Sequence, residues 1–509
     1  MRSLLAVLFL APAASALLAQ TAPAPASTSR PTAALSLQAV AEAALSGNSQ
    51  IRSEWLRGEI FRGDRVSRDA PFDLQLTSAV RQAQDKKALT STDFALQQGT
   101  TYQVALSRQL RSGVTLSPSV AVTRARFAIP GAPAAGSAEA ALSLGVPLMY
   151  NRGGSVTAVA QRVADLDFEA VRGGWHTAIN SAISAVAGAY WGYLAAIDRL
   201  AVQRDAETRA QRLLDETAQL VARDERAPAD LQQLRATVAS RRSARMLAEQ
   251  AIEESRVQLG TLMGIEAAAV LTLGAPATPF PVPSAEPLED SASMVRLAAL
   301  ARERRPDLKA VRIGNQAWDL ELQQFRNAQQ PRLDLSVNLG YQGFTQGPGF
   351  DHLLSPLYHN VPGLNATVQL SYNLVMTNSG ALGAVIHEAA SVEQQRIALR
   401  DVERQVVTDV VVSARAVDRS AAALRESESA VTLYRLSVDN EQRKLKLGMN
   451  TLFDVLNAED ALTNALLTAI NNRRTYATAL IGLRSATGTI ADVTEGAGRV
   501  DARRLVTVP

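Results

Sequence analysis

The sequence predicts an α+β membrane protein. A transmembrane β-barrel, assembled from more than one chain, continues into a barrel of long coiled-coil α-helices, and the plan is duplicated within the chain. Three observations predict this. First, Ile179, Val186, Tyr193, Leu200, Leu214 and Val221 follow a seven-residue spacing, interrupted at Glu207, and Val410, Val417, Leu424, Val431, Val438 and Leu445 follow the same spacing. Adding 224 carries Val186 onto Val410, Leu200 onto Leu424, Asp230 onto Asp454, Leu259 onto Leu483 and Gly264 onto Gly488. A sustained apolar heptad means supercoiled helices, and two copies in register mean a duplicated architecture. Second, segments of bilayer-crossing length alternate apolar and polar residues ahead of each heptad stripe. Third, the chain opens on an export signal.

That signal is Arg2 followed by the apolar, Ala-rich run Leu4–Leu18, with Ala16 and Ala19 as small residues before a cleavable bond. Cleavage is expected after Ala19, so 1–19 is a signal peptide. Residues 20–34, rich in Ala, Pro, Ser and Thr, are expected to be disordered. The 509 residues include no cysteine, which excludes a disulfide framework, a thiolate nucleophile, a zinc–thiolate site and lipidation of an N-terminal cysteine. A formal charge of +3 is too small to argue for nucleic acid. Aromatic residues are only 5%, which suits long, closely packed helices better than a large globular core. Ala178–Ile197 carries no charge, but Ala, Ser and Gly dominate it and it lies within the first heptad stripe, so it reads as coiled coil.

The first repeat spans 35–271. A helix is expected from Leu35 to Val66, with Ser36 as N-cap. Alternating strands follow at 72–84, 101–110, 113–124 and 137–149. After Asn151-Arg152-Gly153-Gly154 the apolar period becomes helical, and a helix over 155–226 is about 105 Å long at 1.5 Å per residue. It stops before Ala227-Pro228, and a shorter helix covers 229–263. The Pro-rich segment 272–290 is a linker. The second repeat, 291–488, replays the order: a helix over 291–329 interrupted at Pro306, strands at 332–342 and 365–375, a long helix over 379–447 ended by Gly448, and a helix over 451–487. Residues 489–509 form a C-terminal tail.

Few strands per chain cannot close a barrel alone, and open edges are not tolerated in lipid, so the barrel is shared between subunits. The long helices carry Arg204, Asp205, Arg209, Arg223 and Asp224 in one copy and Arg415, Asp418, Arg419, Arg425 and Glu426 in the other. Such helices belong in water, and a barrel continued by them makes a conduit.

The segment Lys446-Leu447-Gly448-Met449-Asn450-Thr451-Leu452-Phe453-Asp454-Val455-Leu456-Asn457-Ala458-Glu459 resembles the second tip turn of TolC-type outer-membrane efflux proteins. So does its continuation through Arg473, Tyr476, Ala479, Leu480 and Leu483 to Ala486-Thr487-Gly488. The segment from Ala189 through Tyr190-Trp191-Gly192-Tyr193 to Ala196 is similar to that family's first long helix, and Pro147–Gly154 to its strand-to-helix junction. The resemblance covers nearly the whole mature chain. It implies a homotrimer in the outer membrane of a Gram-negative-type bacterium, with a large periplasmic portion. The tips would meet a periplasmic adaptor protein and an inner-membrane pump, proton-driven or of the ABC type. Cargo would pass through with no chemistry and no cofactor.

The resemblance also implies roles at the periplasmic end. Asp454 falls on an acidic position lining the aperture, with Asp230 its counterpart in the first repeat; rings of three such carboxylates favour cations. Each is otherwise a first-turn acid at a helix N-terminus. Asn450, Leu445 and Asn457 stand where the best-known member has an Arg, a Tyr and a second acid, so a closed state held mainly by apolar coiling and neutral hydrogen bonds is expected. Glu225, Arg226, Ala227, Pro228, Leu447, Gly448, Met449 and Thr451 form the tips that would dock the adaptor. The copies differ there: Arg223-Asp224 stands where the second has Leu447-Gly448. The family usually has two strands per repeat, whereas four are counted before Ser155. The expectation is four, or with the additional hairpin six, strands per chain; the alternative is an extracellular hairpin above a standard barrel. Pro118, inside one additional strand, argues against its inclusion.

Other signals are weaker. His352 and His359 share a loop without a carboxylate cluster, poor grounds for a metal site. Trp55, Trp175, Trp191 and Trp318 are expected to pack between helices, and Tyr341, Phe344, Tyr358 and Tyr372 to form an aromatic girdle. A secreted coiled-coil adhesive protein would explain the heptads and the signal but not bilayer-length strands in both halves. A hydrolase would need a catalytic constellation, and none stands out.

Overall fold

The computed structural model describes residues 35–88, 94–127, 134–224, 227–283, 287–347, 355–358, 363–491 and 500–509. The signal peptide and the segment 20–34 lie outside them, as do Glu225, Arg226, His352 and His359. Two helices, α1 (Leu37–Gly47) and α2 (Ser49–Ser67), precede four strands: β1 (Gln75–Ala88), β2 (Phe94–Gln109), β3 (Thr115–Phe127) and β4 (Ala135–Pro147). The short α3 (Gly154–Thr157) leads into the 63-residue α4 (Val159–Val221), then α5 (Pro228–Met263) and α6 (Ala267–Val270). The second half contains α7 (Ser291–Arg304), α8 (Pro306–Asn327), β5 (Arg332–Gln346), β6 (Asn365–Asn373), the 68-residue α9 (Ser379–Lys446), α10 (Leu452–Thr487) and α11 (Ala502–Leu505).

The expected helix over 35–66 is two helices. Asn48 caps both: its Oδ1 accepts from Gln50 N (2.9 Å) and Ile51 N (3.2 Å), and its Nδ2 donates to Leu262 O (2.8 Å). An Asn that satisfies free amides this way competes with helical continuation. The break at Pro306 between α7 and α8 is its counterpart. Each break receives a left-handed glycine from the repeat's last long helix. Gly264 (φ 72°) packs on Gly47, and Gly488 (φ 68°) on Arg305, where an added Cβ would stand 2.9 Å from the Arg305 nitrogen.

The first long helix ends five residues earlier than expected, at Val221. Asp224 then adopts φ 61°, matching Gly448 (φ 72°) at the position 224 further on. The two tip turns therefore share a backbone conformation although their sequences differ; Asp is among the few non-glycine residues that tolerate it.

Ile179, Val186, Tyr193 and Leu200 of α4, and Val410, Val417, Leu424, Val431 and Val438 of α9, are all buried. The interruption at Glu207 is a charge pairing: Glu207 Oε2 accepts from Arg245 Nε at 2.7 Å, tying α4 to α5. The linker is a packed strap. Leu35 and Pro276 bridge, Thr278 N donates to the Tyr190 hydroxyl (2.8 Å), and Phe280 stacks on the fully buried Trp191. The C-terminal tail packs too: buried Arg484 donates to Thr507 O (2.8 Å) and Val508 O (3.0 Å), and Leu505 is buried in the core. Burial lowers the Arg484 pKa to about 10. Trp55 is not packed within the chain, being 43% exposed.

All six strands form one antiparallel sheet in the order β1-β2-β3-β4-β5-β6. Most strands start or stop several residues from the expected bounds, and β2 and β5 are substantially longer. Pro118 sits in β3 without breaking the sheet. The β3–β4 ladder runs unbroken from Thr115 to Ala125, while the β2–β3 ladder skips Pro118 and Ser117, where the Ser117 and Ser107 hydroxyls bond at 3.2 Å. The lost donor thus falls on one side of the strand only.

Candidate aperture and docking tips

At the end remote from the sheet, α4 and α5 form one helix pair and α9 and α10 another. Leu234 of α5 and Leu452 and Leu456 of α10 make a small buried cluster there, with Leu213, Leu214 and Leu445 packed against it. Leu445 is therefore an apolar stitch between the pairs, as its heptad position requires. Asp230 and Leu445 line the same cavity of about 550 Å³, which also holds Arg209, Glu459 and Asp460.

Asp454 is built into a capping box. Thr451 N and Thr451 Oγ1 donate to Asp454 Oδ2 (2.9 and 2.7 Å), and Asp454 N donates back to Thr451 Oγ1 (3.4 Å). Thr451 opens α10 and Asp454 is its third residue, so the local sequence dictates the motif. The hydrogen bonds from Thr451 hold the Asp454 carboxyl below its ordinary pKa, so it stays charged on the solvent-exposed tip. Asp230 takes the same third position in α5, half-buried, behind Pro228 at N1. Asn457 is exposed one turn after Asp454. Asn450 points inward: its Nδ2 donates to Glu441 O (2.9 Å) and Glu441 Oε2 (2.7 Å), bracing the turn from α9 to α10.

The tips present Leu447 and Met449, each 73% exposed, at the left-handed turn through Gly448, and Thr451, Ala227 and Pro228 are exposed beside them. Phe453, 59% exposed, joins them and was missed; its place in the first turn of α10, off the buried stripe, was the available signal.

Within the chain, charged pairs join the helices beside these apolar contacts. Arg209 Nε of α4 bonds Glu459 Oε2 of α10 at 2.6 Å, with the carboxylate side chain only 13% exposed, and Gln442 Nε2 donates to Glu459 Oε1 at 3.0 Å. Arg241 of α5 pairs with Asp460 of α10. These charges lie one to two turns beyond the tip acids, on helix faces that a heptad reading treats as solvated.

A second polar cluster lies near the sheet, where Asp167 of α4, Glu321 of α8 and Glu388 of α9 approach one another. Glu388 is buried, and burial together with the Glu388 and Asp167 charges raises the Glu321 pKa. Among the described residues no group of acids and histidines has the geometry of a metal site, and no helix is long and apolar enough to cross a membrane.

The sheet supplies what the helices lack. Val80, Tyr102, Val122, Ala138 and Gly343 occupy consecutive cross-strand positions in the register, and Leu116, Leu144, Val337 and Val368 do so nearer the helices. Between these two rows that face is apolar except at Ser78 and Arg108. The other carries Thr77, Gln103, Ser119, Ala141, Gly340 and Thr367. Tyr341 and Tyr372 lie on the apolar face, but Phe344 falls on the opposite face, so the expected girdle is incomplete.

Comparison with known proteins agrees with this geometry. The family model described as outer membrane efflux protein matches residues 297–489. The outer membrane protein TolC of Escherichia coli K12 is 28% identical over 318 residues, a match that spans 60% of this chain and 60% of TolC. The Campylobacter jejuni CmeC outer membrane channel has the same fold, with a TM-score of 0.65 at 14% identity over 92% of this chain and 89% of its own. So does VceC, an outer membrane protein of Vibrio cholerae, with a TM-score of 0.65 at 16% identity over 89% and 96%. The duplicated helices, the tip turns and the apolar-faced sheet agree with these likenesses: residues 297–489 match the outer membrane efflux protein family, and the chain has the fold of outer membrane channels.

Proposed function

We propose that this chain is the outer-membrane exit duct of a tripartite efflux or secretion system. It works as a homotrimer that passively conducts cargo from a periplasmic adaptor and an inner-membrane pump to the exterior. One observation carries the reading: a sheet with one predominantly apolar face is joined directly to helices of about 95 to 100 Å whose surfaces are charged. Lipid suits only the sheet, and water suits only the helices. The bilayer contact is outer-membrane lipid, and the helices cross the periplasm.

In this reading Asp454 rings the aperture in three copies, with Asp230 behind it, while Leu445, Asn450 and Asn457 shape the same constriction. Leu447, Gly448, Met449, Thr451, Ala227 and Pro228 form the adaptor-docking tips, together with the neighbouring Glu225 and Arg226. Phe453 adds apolar area to that surface. In this reading cargo passes without chemistry at the channel, and the energy comes from the pump. Expressed with its leader, the protein should fractionate with outer membranes and run as a trimer that collapses to monomer on heating. A monomer in the soluble periplasmic or secreted fraction would instead favour a coiled-coil adhesive protein.

A further inference from the structure

We infer that the barrel wall takes six strands from each chain, so that three chains close an 18-stranded barrel in which β1 of one copy pairs with β6 of the next. The inference rests on the duct reading and concerns the width of its exit.

The first support is continuity. β1 and β2 are not a separate hairpin: their ladders with each other and with β3 belong to the one six-stranded sheet, as Val80↔Tyr102 and Tyr102↔Val122 show. The second is polarity. Leu76 and Val80 of β1 are each 69% exposed and Val104 of β2 is 51% exposed, on the same face as Val337 and Val368. An extracellular hairpin has no reason to keep that alternation in phase with the wall, because water meets both its faces. The third is anchorage. The β2–β3 turn sits at the helix end of the sheet. Gly153 N donates to Ser112 O (3.0 Å), Arg111 Nε to Gln161 Oε1 (3.0 Å) and Arg108 Nε to Phe72 O (3.3 Å). The additional strands therefore run the full height of the wall from the level of the helices.

The edges complete the case. β1 leaves the helix end and β6 returns to it, so an edge of one copy meets the other edge of the next in antiparallel sense. Every residue of β6, and every residue from Gln75 to Gln84 of β1, is exposed in the single chain. Unpaired edges in lipid are not tolerated, and a second copy of this chain is the partner whose polarity and direction fit. At equal tilt, 18 strands make a barrel about 1.5 times as wide as 12. Strands 4.8 Å apart and tilted 40° give a circumference of about 113 Å, close to the roughly 120 Å of twelve helices packed 10 Å apart.

The chain has no cysteine, so single cysteines can be placed cleanly. Trimers carrying Val80→Cys, Ala79→Cys, Val104→Cys or Gln103→Cys would be labelled with a fluorophore in lipid vesicles, with Val337→Cys and Ser336→Cys on β5 as controls. The inference predicts loss of emission with a lipid-borne quencher at Val80, Val104 and Val337, and with aqueous iodide at Ala79, Gln103 and Ser336. Iodide quenching at all four β1–β2 positions, with β5 still alternating, would overturn the six-strand wall and leave the duct reading standing. Loss of alternation on β5 as well would overturn both. Electron microscopy of the unmodified trimer is independent of any variant: 18 strands in the wall support the inference and 12 overturn it.

Discussion

At the residue scale, Asp454 closes the capping box with Thr451. In the proposed trimer the same carboxylate would also place a charge at the aperture. Because hydrogen bonds hold its pKa below the ordinary 3.8, that charge is present across neutral and mildly acidic pH. It fades only as pH falls through the lowered folded value. Asp454→Ala should reduce the cation-to-anion permeability ratio on the order of severalfold. Thr451→Val, which removes the hydroxyl bond but keeps the carboxylate, should move the loss of selectivity to higher pH. Selectivity measured in single channels from pH 7 to pH 3 checks both; an unchanged ratio in Asp454→Ala would remove the residue from the aperture. The acid itself was legible in the sequence because the tip segment is distinctive. Its lowered pKa was not, since it depends on the angle at which Thr451 meets it.

At the element scale, the helix pairs are joined by charge as well as by leucines. Arg209 and Glu459 bond at 2.6 Å with side chains 26% and 13% exposed, and Gln442 satisfies the other carboxylate oxygen. A double-mutant cycle of Arg209→Ala and Glu459→Ala should give a coupling of about 1 kcal/mol toward stability. Thermal denaturation of the trimer at low and high salt checks it; a coupling near zero would mean that the leucine cluster alone joins the pairs. The heptads, the strands and the Pro306 break were readable because each follows a local period or a local steric rule. The break at Asn48 and the end of α4 at Val221 were not. Asn48 breaks the helix by reaching Leu262, more than two hundred residues away, and Asp224 adopts a glycine-like conformation that its side chain does not announce. Arg209 was visible as a helix charge, but its partner lies in the other repeat.

At the scale of the whole molecule, the two repeats agree most closely where they coil and least where they cross lipid. The shift of 224 holds for Leu259 and Leu483, both fully buried, and for the capping glycines Gly264 and Gly488. The first repeat brings four strands to the sheet and the second brings two. The alternating pattern made those strands countable in the sequence. Whether they shared one sheet was not, because register between strands is a long-range property. In three copies, this sheet is proposed to make a hole through a membrane. The most direct measurement is the current across a planar lipid bilayer to which the purified trimer is added. Discrete, lasting, cation-selective conductance steps are expected. Trimers that leave the bilayer silent, or fail to partition into it, would rule out the duct.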